Sequence, residues 1–260
     1  MENPLPISVC IIAGNEAHRI GNALKSVHGW VSEIIVVLND TVSDGTDQIA
    51  AKFGAKVFRE SWKGHIAQKN SAAQKAAQPW ILGLDADEEI SPALRDEIRQ
   101  LFFGAQPAPS FAAFNFPRCT LYCGRWIRHG DWYPDRKTRL WRSGTAVWGG
   151  IDPHDKLVVQ GTVGKLKSDM LHYSNESIAH QVAKIIPYQS GFLQQRLAAG
   201  KPAGFFELAV RPPWRFVRAY FFRLGFLDGW QGYYIAGISA FSALTRYTLL
   251  RAAKAEQKHS

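Results

Sequence analysis

The sequence predicts an α/β protein built on a doubly wound, Rossmann-like and mostly parallel sheet. Three observations predict it. Short β-branched apolar runs alternate with helical-period segments through the first hundred residues. Each apolar run stops abruptly at polar or acidic residues, as strands do where they deliver side chains to the ligand-binding edge of an open sheet. And 260 residues with 46% hydrophobic and 20% charged side chains suffice to bury a full core.

Ile7 to Ala13 is the first strand, broken by Gly14-Asn15-Glu16; Ile20, Ala23, Leu24 and Val27 then follow at helical spacing. Glu33 to Leu38 is the second strand. It ends in the polar turn Asn39 to Thr46, suited to cap a helix carrying Ile49, Ala50 and Phe53. Ala55 to Arg59, a helix over Gly64 to Ala77, and a fourth strand Trp80 to Leu84 continue the rhythm. Right-handed crossovers would bring the loops after Ala13, Leu38 and Leu84 to one edge. Ser91-Pro92 opens another helix, with Pro in its first turn. Beyond Pro107 the pattern changes to a more mixed sheet, with strands at Phe111 to Pro117, Thr138 to Arg142, Lys156 to Val159 and Gly164 to Lys167. The loops between them, Trp148-Gly149-Gly150 among them, are rich in Trp, Tyr, His and Gly and read as flexible.

The chemistry is concentrated at Leu84-Asp85-Ala86-Asp87-Glu88-Glu89, where an apolar run meets a cluster of acids. Carboxylates this close repel one another unless a cation lies beside them. Hard oxygen ligands of this kind suit Mg2+ or Mn2+ holding a phosphate-bearing substrate. The competing reading is a strand end running into an acidic helix N-terminus. Arg136, Lys137, Arg139 and Arg142 crowd beside Trp132 and Trp141. Any one of them, Arg139 included, has the charge to clamp a diphosphate, and an arginine fork matches phosphate oxygens. Trp132, Tyr133 and Trp148 are candidates for stacking on a ligand ring.

Net charge is +9 and unevenly spread: from Arg196 onward, ten basic residues face three acidic ones. Arg211, Arg215 and Arg218 fall on one side of a predicted amphipathic helix with Phe216, Val217, Tyr220, Phe221 and Leu224 around it, a pattern suited to an anionic membrane surface. Gly229 to Thr245 carries no charge but holds Gln231, Ser239 and Ser242, and it is short of the roughly 20 apolar residues that a span needs. A monotopic anchor or a packed helix is the expectation. The opening residues show no secretory signal pattern, and three cysteines make neither a disulfide framework nor a zinc site, so reduced cytoplasmic thiols are expected.

Taken together, Ser8 to Glu16, Ser43-Asp44-Gly45-Thr46 and Asp85-Ala86-Asp87 resemble family-2 glycosyltransferases. Trp62-Lys63-Gly64, Gln68-Lys69-Asn70, Trp126 to Gly130, Trp132-Tyr133-Pro134, Arg139 to Arg142, Trp148-Gly149-Gly150, His154-Asp155-Lys156, Leu171-His172-Tyr173 and Gly225 to Trp230 extend the likeness. That set is similar to the lipopolysaccharide inner-core glucosyltransferase branch.

The resemblance implies a GT-A fold, a nucleotide-sugar donor such as UDP-glucose, and a divalent metal, Mg2+ or Mn2+. It places Glu16 at the nucleoside, Asp85 at the ribose and Asp87 on the metal, with His172 as a late metal ligand. Asp155 matches the position of the catalytic base, and Lys69 lies on a helix near the donor, where it either touches phosphate or is a surface lysine. The family reads the base with an Asp directly after the second strand; this chain has Leu38-Asn39-Asp40, so Asn39 or Asp40 takes that role. The expected organisation is a catalytic domain over 1–176, with a nucleotide-sugar half (1–106) and an acceptor half (107–176), followed by a helical, basic, membrane-associating segment over 177–260. The expected partners are the donor, a lipid-linked saccharide acceptor and an anionic membrane surface on the cytosolic face of the inner membrane, with no nucleic acid. The alternatives are a sugar-phosphate nucleotidyltransferase and a non-catalytic basic protein that binds membrane or nucleic acid.

Overall fold

A computed structural model describes residues 3–103, 111–151, 154–173, 177–183, 185–186, 189, 193, 196–197 and 204–259. The expected boundaries after residues 106 and 176 lie outside these. Two compact units are present, one of residues 1–118 with 135–173 and one of residues 119–134 with 174–260.

In the first unit, β1 (Leu5–Ala13), α1 (Ile20–Val27), β2 (Val31–Asn39), α2 (Thr46–Lys52), β3 (Lys56–Glu60), α3 (His65–Gln74) and β4 (Trp80–Asp85) alternate as the sequence predicts. Pairing of β1 with β2 and β4, and of β2 with β3, is parallel throughout. β1 and β4 are buried nearly from end to end because helices cover both faces of a parallel sheet. α1 buries Ile20, Ala23, Leu24 and Val27, the i, i+3, i+4, i+7 stripe visible in the sequence. α3 stops three residues earlier than expected. Its following chain turns away to donate the Ala77 amide to Glu33 (2.9 Å) and the Gln78 amide to Ser8 (3.1 Å), which a continuing helix would forbid.

After β4 come β5 (Glu88–Ile90) and α4 (Pro92–Phe103), then the mixed half: β6 (Ala113–Tyr122), β7 (Arg125–Ile127), β8 (Asp135–Arg142), β9 (Ala146–Ile151), β10 (His154–Val159), β11 (Val163–Lys165) and β12 (Met170–Tyr173). The main sheet runs β3-β2-β1-β4-β8-β6-β12-β5, with β8 antiparallel to both β4 and β6. A competing reading and an expectation are corrected here. Glu88 and Glu89 do not open a helix but form β5, antiparallel to β12. Trp148-Gly149-Gly150 is not a flexible loop but part of β9, whose hairpin with β10 sets Trp148 opposite Leu157 and Gly150 opposite Asp155.

The second unit contains α5 (Ile178–Ala183), α6 (Phe205–Val217) and α7 (Gly229–His259). The single basic helix expected over Arg211 to Leu224 ends at Val217; a π turn (Arg218–Phe222) and a 3-10 turn (Gly225–Asp228) follow. The uncharged stretch after Gly229 is the start of α7, and no described helix is long and apolar enough to cross a membrane.

Candidate active site

Parallel register carries the first contacts to one edge. Ala13 pairs with Leu38 and Ile12 with Asp85, so the carboxyl ends of β1, β2 and β4 lie side by side. The loops leaving β1 and β2 are clasped by Asp44-Gly45-Thr46. Glu16 donates its amide to Thr46 Oγ1 (3.0 Å), Ala17 to Asp44 Oδ2 (2.9 Å) and Ser43 to Asn15 Oδ1 (3.2 Å). The Thr46 hydroxyl and the Ala17 amide hold the Asp44 carboxyl below its ordinary range. Gly45 has φ +92°, which a side chain would strain.

Asp85 is the centre of a buried charge network. Lys69 Nζ reaches Asp85 Oδ1 and Asp155 Oδ2, each at 2.9 Å, bridging residues 85 and 155. Arg139 Nη2 stands 2.6 Å from Asp85 Oδ2 and 3.1 Å from Glu88 Oε1. Glu88, fully buried, also meets Arg118 (3.3 Å) and accepts the Asp85 amide (3.1 Å); Arg118 in turn binds Asp135 (2.7 Å). Burial alone would raise the Asp85 carboxyl, but Arg139 and Lys69 override it and hold the group far below the usual range. Arg139 is also desolvated, yet Asp85 and Glu88 push its guanidinium further toward the charged form.

Trp148 forms the wall behind these cations, its ring 4.7 Å from Lys69 Nζ and 5.2 Å from the Arg139 guanidinium carbon. Its peptide is fixed by Asn70, which donates to the Trp148 carbonyl and accepts from the Trp148 amide, both at 2.9 Å. Thus α3, through adjacent residues Lys69 and Asn70, holds both the side chain of Asp155 and the strand paired with it. Gly83 leaves room for the indole, since a Cβ there would stand 3.0 Å from Trp148 and 3.2 Å from Trp141. Lys69, Gly83, Asp85, Arg139 and Trp148 line a small pocket with Cys10, whose thiol is pushed up to about 12 by burial and then by Glu33, so it stays a neutral wall and not a nucleophile.

A second group forms through Arg19, 2.9 Å from Glu16 and 3.6 Å from Asp87; His172 Nε2 lies 3.4 Å from Asp87 Oδ2. Among the described residues no three His, Cys, Asp or Glu side chains gather closely enough to hold a metal by themselves. Asp87 with His172 nevertheless offers one carboxylate and one imidazole that would hold a divalent ion taking its remaining ligands from substrate phosphates and water. Asn39 is the last residue of β2 and Asp40 follows it. Asn39 Oδ1 accepts from the Thr41 amide (3.4 Å) and Asp40 from the Ser61 hydroxyl (2.8 Å).

Among the four cations of β8, Arg139 alone pairs with Asp85. Arg136 serves Asn115 and the Leu166 carbonyl, Lys137 binds Asp135, and Arg142 lies over Trp80. Trp132 packs on buried Tyr122 in the second unit, and Trp148 uses its face on Lys69 and Arg139, so neither supports the ring-stacking expectation. Sequence reasoning gave Glu88 no role of its own within the acidic run and passed over Arg118. An acid at the third position after Asp85, returning to its amide, was the available signal for Glu88; nothing local marks Arg118.

Comparison with known proteins gives the family. The glycosyl transferase family 2 model matches residues 8–158. An uncharacterized glycosyltransferase of Rickettsia prowazekii is 32% identical, with 94% of this chain and 86% of that protein covered. The lipopolysaccharide core biosynthesis glycosyltransferase LpsC of Rhizobium meliloti is 28% identical, with 98% and 94% covered. Among solved structures, S. aureus TarS 1-349 in complex with UDP-GlcNAc aligns over 97% of this chain and 92% of that one with a TM-score of 0.51 and 13% identity, a likeness of fold. The GT-A architecture expected from the sequence is the one observed. On the span of the family match and the near full-length likeness to its relatives, the chain belongs to glycosyl transferase family 2.

Proposed function

We propose that the protein is an inverting hexosyltransferase that moves a sugar, glucose by preference, from a UDP-sugar to a lipid-linked saccharide such as the lipopolysaccharide inner core. The observation that carries it is the Asp85–Lys69–Asp155 bridge, with Arg139 on the same carboxylate, at the ligand-binding edge of the sheet. Similarity along nearly the whole chain to a lipopolysaccharide core glycosyltransferase supports the acceptor class.

In this reading Asp85 takes the ribose, Glu16 the nucleoside, and Asn39 or Asp40 the base. Asp155 accepts the proton of the acceptor hydroxyl as its oxygen bonds to the anomeric carbon. The bond from that carbon to the diphosphate oxygen breaks on the opposite face, so configuration inverts. Lys69 and Arg139 offset the charge that develops on the leaving diphosphate. Arg139 retains a buried Nε donor with no hydrogen-bond partner among the described residues, which suits it to a phosphate oxygen. A divalent cation held by Asp87 and His172 would add Lewis-acid stabilisation to the same leaving group. The basic segment over 177–260 keeps the enzyme peripheral on the cytosolic face of the inner membrane, where a lipid-anchored acceptor is concentrated.

Calorimetric titration with UDP and GDP, each with and without Mn2+, tests the donor site. UDP should bind in a metal-dependent way, Asp87→Ala should lose that dependence, and Asp155→Asn should bind UDP normally while losing transfer. Absence of binding by either nucleotide refutes the reading.

A further inference from the structure

Between α6 and α7 the chain folds back through residues 218–230. The inside of this turn is tightly built. Leu224 adopts φ +57°, a Cβ on Gly225 would stand 2.7 Å from the Ala219 carbonyl oxygen, and one on Gly232 would overlap the Gly225 carbonyl. Asp228, 3% exposed, closes the turn by accepting the amides of Arg128 (3.0 Å) and His129 (2.8 Å). A backbone this constrained does not leave side chains outside for want of order.

Its outer side nevertheless carries Phe221, Phe222, Leu224, Phe226, Leu227 and Trp230, each between 44% and 69% exposed. Six large apolar side chains exposed within ten residues of one tight turn are a concentration of the kind that marks an interaction surface. Beside it Arg215, Arg218 and Arg223, each 40–45% exposed, converge on the buried Asp131 at 3.3, 2.6 and 3.8 Å. One carboxylate among three guanidinium groups leaves two positive charges in excess. An apolar tip with a cationic collar is complementary to an anionic bilayer, whose phosphates lie just above its acyl chains. With no described helix able to cross a membrane, such a contact is made from one side.

We infer that the fold-back at residues 218–230 is a monotopic insertion tip. It sinks Phe221, Phe222, Leu224, Phe226, Leu227 and Trp230 to the headgroup–acyl boundary and sets Arg215, Arg218 and Arg223 at the level of the lipid phosphates. This deepens the membrane reading of the proposed function: the turn, and not the face of a basic helix, enters the lipid.

The test is flotation of the full chain with vesicles of phosphatidylcholine alone or mixed with phosphatidylglycerol, beside light scattering and thermal denaturation without lipid. The wild type floats with the anionic vesicles. The double variant Phe221→Ser/Phe222→Ser loses partitioning on the order of 100-fold, from two aromatic side chains that no longer leave water, while its melting temperature stays within the wild-type range. Arg223→Gln, at the loosest contact with Asp131, weakens flotation and lessens its salt sensitivity. A wild type that floats together with a double variant that floats equally well overturns the tip and leaves membrane attachment standing. A wild type that floats with neither vesicle overturns both, whereas nucleotide binding remains a separate measurement. A dimer that becomes a monomer in the double variant, without flotation of either, assigns the patch to a second copy and overturns the inference.

Discussion

Glu88 gives the sharpest test of the network, because it is fully buried and touches three groups that define the site. Glu88→Ala leaves Arg139 with Asp85 alone and Arg118 with Asp135 alone, and strips the Asp85 amide of its acceptor. Removing one member of a buried ion pair costs about 3–5 kcal/mol when its partner is left uncompensated. Each arginine here keeps one carboxylate, so the low end, about 3 kcal/mol, is expected. For a chain of this size that corresponds to a fall in melting temperature of about 6–12 °C. Glu88→Gln keeps the shape and the amide acceptor and loses only the charge, so its fall is smaller. The measurement is thermal denaturation followed by circular dichroism, at low salt and at high salt, because a buried pair is little screened. A shift below about 2 °C, or a shift that high salt abolishes, refutes the reasoning. The variant should also bind UDP more weakly, since Glu88 positions the backbone from which Asp85 projects.

Two further outcomes follow from the contacts. Asn70→Ala removes both hydrogen bonds to the Trp148 peptide and should destabilise by roughly 2–4 kcal/mol, with Asn70→Asp, which keeps only the acceptor, in between; equal melting temperatures for all three would count against the α3–β9 clasp. Glu60 is held down to about 2 by Lys75, then by Ser71 and Lys63, against an ordinary 4.5. Its folded-state value is depressed, so its contribution is present above about pH 4.5 and lost as pH falls toward 2; because Lys63 and Lys75 are partly open to water, about 1 kcal/mol is expected. Glu60→Gln should therefore flatten the acid limb of a stability profile over that window, and an unchanged limb would show that Glu60 does not couple to folding.

How much of this was legible depended on the range of the interaction involved. The strand and helix rhythm to α4 follows from local periodicity: α1 buries the four residues its spacing marks, and β4 ends where its apolar run ends, at Asp85. The short strands escaped because three residues of Glu88–Ile90 or Arg125–Ile127 carry no period, and β9 because Gly149 and Gly150 read as a loop until β10 pairs with them. Asp85, Lys69, Arg139 and Asp155 were all named from the sequence, but nothing in it said that they touch. Their contacts join residues 16, 54 and 86 positions apart, and only sheet register and the α3 clasp bring them together.

The same limit explains why four cations on one strand stayed equivalent. Alternation along β8 separates Lys137 and Arg139 from Arg136 and Arg142, and then goes no further. The antiparallel register of β8 on β4 sets Leu140 opposite Leu82, and a shift in the β6–β8 register between Leu140 and Thr138 falls at Arg139, whose side chain meets Asp85 and the Trp148 wall. Gly83 completes the selection by admitting that wall. A glycine before Asp85 looks in the sequence like a weak point of a buried strand; in the fold it is the space that lets one tryptophan lie against both cations, and so keeps charge beside the carboxylates at the sheet edge.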